Sequence, residues 1–140
     1  MLEIVNTFVQ VAPDSTAARA VIPTARDGKK TIQMIQYQLL TAQPYSLTLN
    51  NLIFEIFVKR NNISSTDLEL HKGTIWAELF SKPHPCMRAS MLPKKYGWGV
   101  HYDAAGKIAL HALESEKYQR LSAFGDGVQK VELAMRSKRA

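Results

Sequence analysis

Three side chains able to do chemistry lie in one short stretch of the sequence: Cys86, Arg88 and His101. If residues 86–92 form a strand, alternate side chains share a face, and Cys86 and Arg88 lie about 7 Å apart. A cation at that distance favours the thiolate, and His101 on a neighbouring strand is placed to act as a base. The stretch therefore contains a candidate cysteine nucleophile and a candidate histidine base. The residues leave open the alternative that this single cysteine is a small buried apolar side chain.

The same stretch predicts anion binding. Its cations and aromatic residues are Arg88, Lys94, Lys95, Tyr96 and Trp98. The glycines at positions 97 and 99 clear one face of a strand, so another group can approach its backbone closely. Cations beside stacking aromatic rings bind phosphate or single-stranded nucleic acid. The competing interpretation, which we favour for Trp98, is that this ring anchors a core strand after a basic turn.

The net charge of +6 arises in the C-terminal part of the chain. Residues 1–80 carry seven Lys or Arg and seven Asp or Glu, whereas residues 81–140 carry eleven and five. The last cations are Arg136, Lys138 and Arg139. We hypothesise that this tail folds back beside the cations of residues 88–95 and forms one cationic pocket. A solvated basic face explains the same charge pattern without a ligand.

Several other chemistries are disfavoured. Residues 28–31, GKKT, end like a phosphate-binding loop, but Pro23 occupies the position of its first glycine. Lys29 and Lys30 before a helix either hold an anion or are simply solvated. The four histidines form no short zinc-binding pattern. If residues 103–107 turn a hairpin, His101 and His111 share a face diagonally, without a nearby third ligand. We therefore expect no metal and no cofactor.

The hydrophobic periodicity predicts an α+β fold. Residues 4–12 are typical of a strand, and residues 31–43, 46–62 and 66–82 are typical of three helices. From position 86 the period changes to two, which predicts strands over residues 86–92 and 96–102. A turn at residues 103–107 then leads into a strand over 108–113. A short helix over 114–124 and a last strand over 128–136, at the sheet edge or beside the first strand, complete an antiparallel sheet packed on about three helices.

The bulk composition indicates an ordinary globular protein. A chain of 140 residues with 46% hydrophobic and 21% charged residues fits a single domain over residues 1–140. It lacks an apolar run of about 20 residues, as a membrane span requires. One cysteine excludes an internal disulfide, which fits a reducing compartment. We therefore expect a cytoplasmic protein without a membrane partner, and nothing in the sequence selects an oligomeric state.

Three segments carry a family resemblance: GKKT before a helix, residues 85–110 (PCMRASMLPKKYGWGVHYDAAGKIAL) and the terminal AMRSKRA. They resemble a family of small bacterial proteins catalogued only as a domain of unknown function. The resemblance extends over nearly the whole chain. It implies a stand-alone, single-domain bacterial protein and carries over no activity, ligand or catalytic residue.

Two functions follow from the residues themselves. The first is a module that binds an anionic partner, either a phosphorylated metabolite or nucleic acid, through the basic C-terminal half. The alternative is a small enzyme that uses Cys86 as nucleophile and His101 as base.

Overall fold

The computed structural model describes residues 3–137, in which four strands form one mixed sheet. The strands are β1 (Thr7–Gln10), β2 (Trp98–Tyr102), β3 (Ile108–Ala112) and β4 (Lys130–Leu133). Their order is β3-β2-β1-β4, with β2 antiparallel to both neighbours and β4 parallel to β1. The α+β prediction is confirmed. The purely antiparallel sheet is wrong at β4, because the chain crosses from one edge of the sheet to the other through a helix.

The three predicted helices are confirmed. They are α1 (Ile32–Ala42), α2 (Leu49–Arg60) and α3 (Ser65–Leu79). Each begins after a hydroxyl side chain that accepts a first-turn amide, and these caps are Thr31, Thr48 and Ser64. The predicted short helix is also present, as α5 (Glu116–Ser122) after the cap Ser115. Within residues 3–137, no helix is long and apolar enough to cross a membrane.

The predicted strand over residues 86–92 is wrong. A 3₁₀ turn (Met87–Ala89) and a short helix, α4 (Met91–Lys95), occupy this region. Ser90 caps α4 by accepting the Leu92 amide. Pro93 is the third helical residue, where no intrahelical hydrogen bond is required of its nitrogen. The buried residues of this segment are Met87, Ser90, Leu92 and Pro93, and their spacing does not follow the two-residue repeat of a strand.

The two faces of the sheet carry different layers. Val100 and Tyr102 of β2 point into the larger core. The other buried members of that core are Val9, Ala12, Leu40, Leu52, Met87, Leu92, Ile108 and Ala134. On the opposite face, Phe8 packs against Tyr118 and Leu121 of α5. Because neighbouring strand residues point to opposite faces, His101 lies on the α5 side and Tyr102 on the other.

The loop over residues 43–48 covers the outer edge of β3. The Tyr45 amide donates to the Ile108 carbonyl, and the Ile108 amide donates to the Leu47 carbonyl, each at 2.9 Å. An isolated bridge between Thr48 and Lys107 extends this pairing. The loop thus satisfies backbone groups that an edge strand would otherwise expose, and it carries the Tyr45 side chain to the sheet.

Candidate functional site

One polar cluster joins Tyr45, His101 and His111. The Tyr45 hydroxyl oxygen lies 2.8 Å from Nδ1 of His101 and 2.9 Å from Nε2 of His111. The two imidazole centroids are 6.2 Å apart. His101 is buried, whereas Tyr45 and His111 are half-buried. The cluster therefore has one member in the interior and two that reach the surface.

The hairpin register and the edge loop build this cluster. His101 pairs with Ala109, and His111 pairs with Gly99, so the histidines lie diagonally on one face. This confirms the predicted relation between them. Tyr45 has φ +56°, a left-handed conformation that is uncommon for a bulky residue. The edge-loop hydrogen bonds hold it there, and its hydroxyl is placed between the two rings.

Burial sets the protonation of the cluster. Burial, reinforced by neighbouring His101 and the Lys117 ammonium, lowers the pKa of His111 to about 4. Burial also lowers the pKa of His101 and raises the pKa of Tyr45 to about 12. All three groups are consequently neutral at pH 7. The phenol donates its single proton to a nitrogen of one imidazole, and the other imidazole donates an N–H to the phenol oxygen.

Tyr45 was not among the residues that the sequence indicated. It lies 56 residues before His101 and 66 before His111, in a loop without a recognisable motif. Only the pairing of that loop with β3 brings it to the histidines. Among residues 3–137, no group of three or more His, Cys, Asp or Glu side chains could hold a metal ion. Tyrosine is a ligand type outside that set.

The structure does not bring Cys86 and His101 together. Half-buried Cys86 precedes the 3₁₀ turn, and the next residue, Met87, donates its amide to the Tyr102 hydroxyl at 3.3 Å. Cys86 is therefore on the helix-covered side of the sheet, and His101 is on the α5 side. Cys86 instead lines a cavity of about 170 Å³ together with His84. The predicted cysteine–histidine pair is not formed.

The face cleared by the two glycines is filled by the protein itself. At Gly99, a β-carbon would meet the ring of Phe8 and lie 2.7 Å from Cε2 of Tyr118. At Gly97, with φ +76°, a β-carbon would lie 2.6 Å from the Arg19 carbonyl oxygen. The glycines thus admit intramolecular neighbours rather than a ligand.

Trp98 is anchored in the same way. Its Nε1 donates to the Val21 carbonyl at 2.9 Å, and its ring packs on Tyr37 with centroids 5.3 Å apart. Tyr96 packs against the larger core. Both aromatic rings of the predicted stacking surface are therefore engaged within the fold.

The predicted cations do not share one role. The Arg88 Nε donates to the Leu133 carbonyl at 2.9 Å, and the Met135 amide donates to the Arg88 carbonyl at 2.9 Å. The chain after β4 thus runs beside Arg88, as the tail hypothesis requires for this residue. Half-buried Lys94 and exposed Lys95 end α4, and Arg136 is exposed. Lys138 and Arg139 lie outside the described residues.

A different set of cations converges on a groove of about 1040 Å³ beside α1 and the end of α2. We call it the basic groove. Its exposed cations are Lys29, Lys30, Lys59 and Arg60. Its buried or half-buried aliphatic residues are Ile35, Leu39, Val58 and Ile63. Two polar residues, Gln38 and Asn62, complete the lining. Of the described residues, no carboxylate and no aromatic side chain lines the groove.

Two of these cations, Lys29 and Lys30, lie at the end of a tight turn. Arg26 and Lys29 exchange backbone hydrogen bonds of 2.9 Å in both directions. Between them, Asp27 and Gly28 have φ of +52° and +75°. This is the two-residue turn that Asp-Gly favours, not a phosphate-binding loop. It projects Lys29 and Lys30 before α1. The last turn of α2, which returns alongside α1, supplies the other pair.

Comparison with known proteins gives a family but no activity. Neither a curated protein nor a solved structure matches the chain significantly. Residues 2–140 match the model of a family of unknown function, DUF6157. This match confirms the resemblance seen in the sequence. The chain accordingly belongs to DUF6157, a family of unknown function.

Proposed function

We propose that this protein binds a small anionic molecule, a phosphorylated metabolite with an aliphatic portion, in the basic groove. One observation carries the proposal. Four exposed cations border a groove whose described lining contains no carboxylate. An anion placed among these cations relieves their mutual repulsion and gains several charge-assisted hydrogen bonds at once.

The four cations of the basic groove differ in the contacts that they can form with a phosphate group. Arg60 presents a planar fork that matches two oxygens of a phosphate, whereas the three lysines act as point charges on flexible stems. All four lie at the surface, so water and salt weaken each single contact. Binding therefore depends on several cations acting on one ligand, and raised ionic strength will weaken it.

The uncharged lining narrows the ligand class. Single-stranded nucleic acid is held by aromatic rings on which bases stack, and the described lining of the groove contains no aromatic side chain. Ile35, Leu39, Val58 and Ile63 instead suit an alkyl portion. The volume of about 1040 Å³ is slightly above the range of small-molecule sites, which is roughly 300–1,000 Å³. An anion with an aliphatic part contacts both the cations and the aliphatic side chains of the basic groove.

The surface that the sequence indicated supports the function less well. Arg88 donates a hydrogen bond to the Leu133 carbonyl, and Trp98 donates one to the Val21 carbonyl. Catalysis by Cys86 with His101 as base lacks geometric support, because the two residues lie on opposite sides of the sheet. The anionic ligand predicted from the charge of the chain is retained, but its site is moved to the basic groove.

Calorimetric titration with three probes at low salt tests this proposal: octyl phosphate, inorganic phosphate and octanol. Octyl phosphate should bind at least about tenfold more tightly than inorganic phosphate, because each buried methylene adds about 0.8 kcal/mol. It should also bind at least about tenfold more tightly than octanol, because octanol has no charge for the cations of the groove to bind. The double variant Lys59→Gln/Arg60→Gln should lose at least about tenfold in affinity for it, which corresponds to about 1.4 kcal/mol. The matched control Lys94→Gln/Lys95→Gln removes the same charge elsewhere and should bind normally.

Three results would overturn the proposal. The first is no binding of octyl phosphate even at low salt. The second is an equal loss of affinity in the control variant, which would indicate a nonspecific effect of net charge. The third is tighter binding of a single-stranded oligonucleotide with a steep salt dependence, which would assign the groove to nucleic acid.

A further inference from the structure

The cluster of Tyr45, His101 and His111 brings three potential metal-ligating atoms to one point on the α5 side of the sheet. They are the Oη of tyrosine, an Nδ1 and an Nε2. Imidazole is a preferred ligand of Zn²⁺, Cu²⁺ and Ni²⁺. We propose that these three residues form a binding site for a divalent transition metal ion, with Cu²⁺ as the preferred ion. This site is separate from the basic groove and does not depend on it.

The first support is the distance from the phenol oxygen to each nitrogen. Metal–nitrogen bonds of histidine are about 2.0–2.1 Å long. Two ligands at that distance and at a right angle around a metal are about 2.9 Å apart. The observed separations are 2.8 Å to His101 and 2.9 Å to His111. Each imidazole is thus already spaced from Tyr45 as a neighbouring ligand in a square arrangement would be.

The second support is the separation of the two imidazoles. Two imidazoles bound on opposite sides of one metal ion have ring centres about 6.4 Å apart, given bonds of about 2.0–2.1 Å. The observed separation of the centroids is 6.2 Å. Together the distances match those expected for two opposed histidines with the phenol oxygen between them. Square-planar or tetragonal sites with nitrogen and oxygen ligands are diagnostic of Cu²⁺ or Ni²⁺, and Cu²⁺ binds more tightly.

The protonation changes on binding are simple. The imidazole that accepts the phenol hydrogen bond already has a lone pair on the nitrogen facing Tyr45 and keeps its proton on the other ring nitrogen. The imidazole that donates to the phenol oxygen first moves that proton, through solvent, to its other ring nitrogen, and then binds the metal through the nitrogen facing Tyr45. The phenol gives up its proton to solvent, so Cu²⁺ and the neutral cluster yield a Cu²⁺–phenolate complex and one H⁺. No electron is transferred. The fourth equatorial position is left for water.

The charges around the cluster are of both signs. Lys117 opposes a bound cation and affects the pKa of His101 more than either nearby carboxylate does, but it forms an ion pair with Asp126. The Asp103 and Asp126 carboxylates both act electrostatically on Tyr45 and His101. Asp126 is paired with both Lys117 and Arg120, so Asp103 is the nearby carboxylate that most favours a bound cation. Half-buried His111 and Tyr45 provide access from solvent.

The test is a titration of untagged protein with Cu²⁺, followed by calorimetry and visible absorption. We expect one Cu²⁺ per chain and a phenolate-to-copper charge-transfer band. Tyr45→Phe should abolish this band, and His111→Gln should weaken binding at least tenfold. His71→Gln and His84→Gln are matched controls that should change neither property. Circular dichroism establishes that each variant is folded, and the half-buried positions of Tyr45 and His111 make them suitable for substitution.

Other outcomes would overturn the proposal. A wild-type protein that binds no Cu²⁺ in the micromolar range would do so. An unchanged visible spectrum in Tyr45→Phe, or an equal loss of affinity in the His71→Gln control, would show that copper binds elsewhere. Tighter binding of Zn²⁺ than of Cu²⁺ would contradict the opposed arrangement of the histidines, since Zn²⁺ prefers a tetrahedral site.

Discussion

The phenol oxygen of Tyr45 lies 2.8 Å from Nδ1 of His101, although 56 residues separate them in the sequence. The same oxygen accepts or donates a second hydrogen bond with His111. A phenol has one proton, so the two bonds coexist only if one imidazole accepts and the other donates. Tyr45 is consequently the residue that makes the two histidines one unit.

Removing the hydroxyl should destabilise the fold. Tyr45→Phe leaves the facing nitrogen of buried His101 without its partner. An unsatisfied buried polar group costs about 1–3 kcal/mol, so we expect a loss of that size in the free energy of unfolding. Urea unfolding of metal-free protein measures it. Unchanged stability would mean that water replaces the phenol at both nitrogens.

Stability should depend on pH through His111. Its folded pKa of about 4 lies below the ordinary value of 6.5, so between these values the unfolded chain binds more protons. Stability should therefore be greatest above about pH 6.5 and fall by about 2–3 kcal/mol as the pH drops towards 4. Urea unfolding across this range, with a chelator present, should show the fall.

A matched pair of variants isolates this effect. His111→Gln should make the pH profile shallower, because one of the two imidazoles with a lowered pKa is removed, whereas exposed His71→Gln should leave the profile unchanged. A nuclear magnetic resonance titration in which the His111 ring protonates near pH 6.5 would contradict the account.

Two glycine substitutions should have opposite effects. Gly99→Ala places a methyl group against Phe8 and Tyr118, and such overpacking typically costs about 1–3 kcal/mol or more. Gly73 lies inside α3, where an added methyl group would have no other atom within 4 Å. Gly73→Ala should therefore add about 0.8–1.0 kcal/mol through helix propensity. Thermal unfolding of both variants checks the pair, and equal effects would refute the described packing around Gly99.

Arg88 should affect stability rather than ligand affinity. Arg88→Lys keeps the positive charge but removes the Nε–H that donates to Leu133. We expect a loss of about 0.5–1.5 kcal/mol in unfolding free energy and no change in octyl phosphate affinity. A clear drop in affinity with intact stability would restore Arg88 as a ligand-binding residue, as its place among the cations of residues 88–95 indicates.

The sequence predicted the elements whose signals are local. The periodicity of residues 31–43, 46–62 and 66–82 predicted α1, α2 and α3, which the hydroxyl side chains of Thr31, Thr48 and Ser64 cap. The predicted turn over residues 103–107 contains Gly106, with φ +77°. That turn fixed the register of β2 and β3, and with it the diagonal relation of His101 and His111. Local propensity and turn chemistry were sufficient for these features.

Features that depend on distant contacts were missed. Residues 86–92 alternate like a strand, but the Ser90 cap and the packing of buried Met87 and Leu92 favour helical turns. The parallel pairing of β4 requires a crossover that no local pattern encodes. Tyr45 joins the histidines only because its loop pairs with β3. The basic groove likewise combines residues about 30 positions apart, so a count of charge along the chain assigned the anion to the C-terminal half instead.

The most direct test of the proposed function is a map of where a phosphate-bearing ligand binds. Backbone amide resonances of the ¹⁵N-labelled protein are followed while octyl phosphate is added at low salt. We predict that the largest shifts occur at Lys29, Lys30, Lys59 and Arg60 and saturate together. Shifts confined to residues 88–98, or no saturable shifts at all, would contradict an anion site in the basic groove.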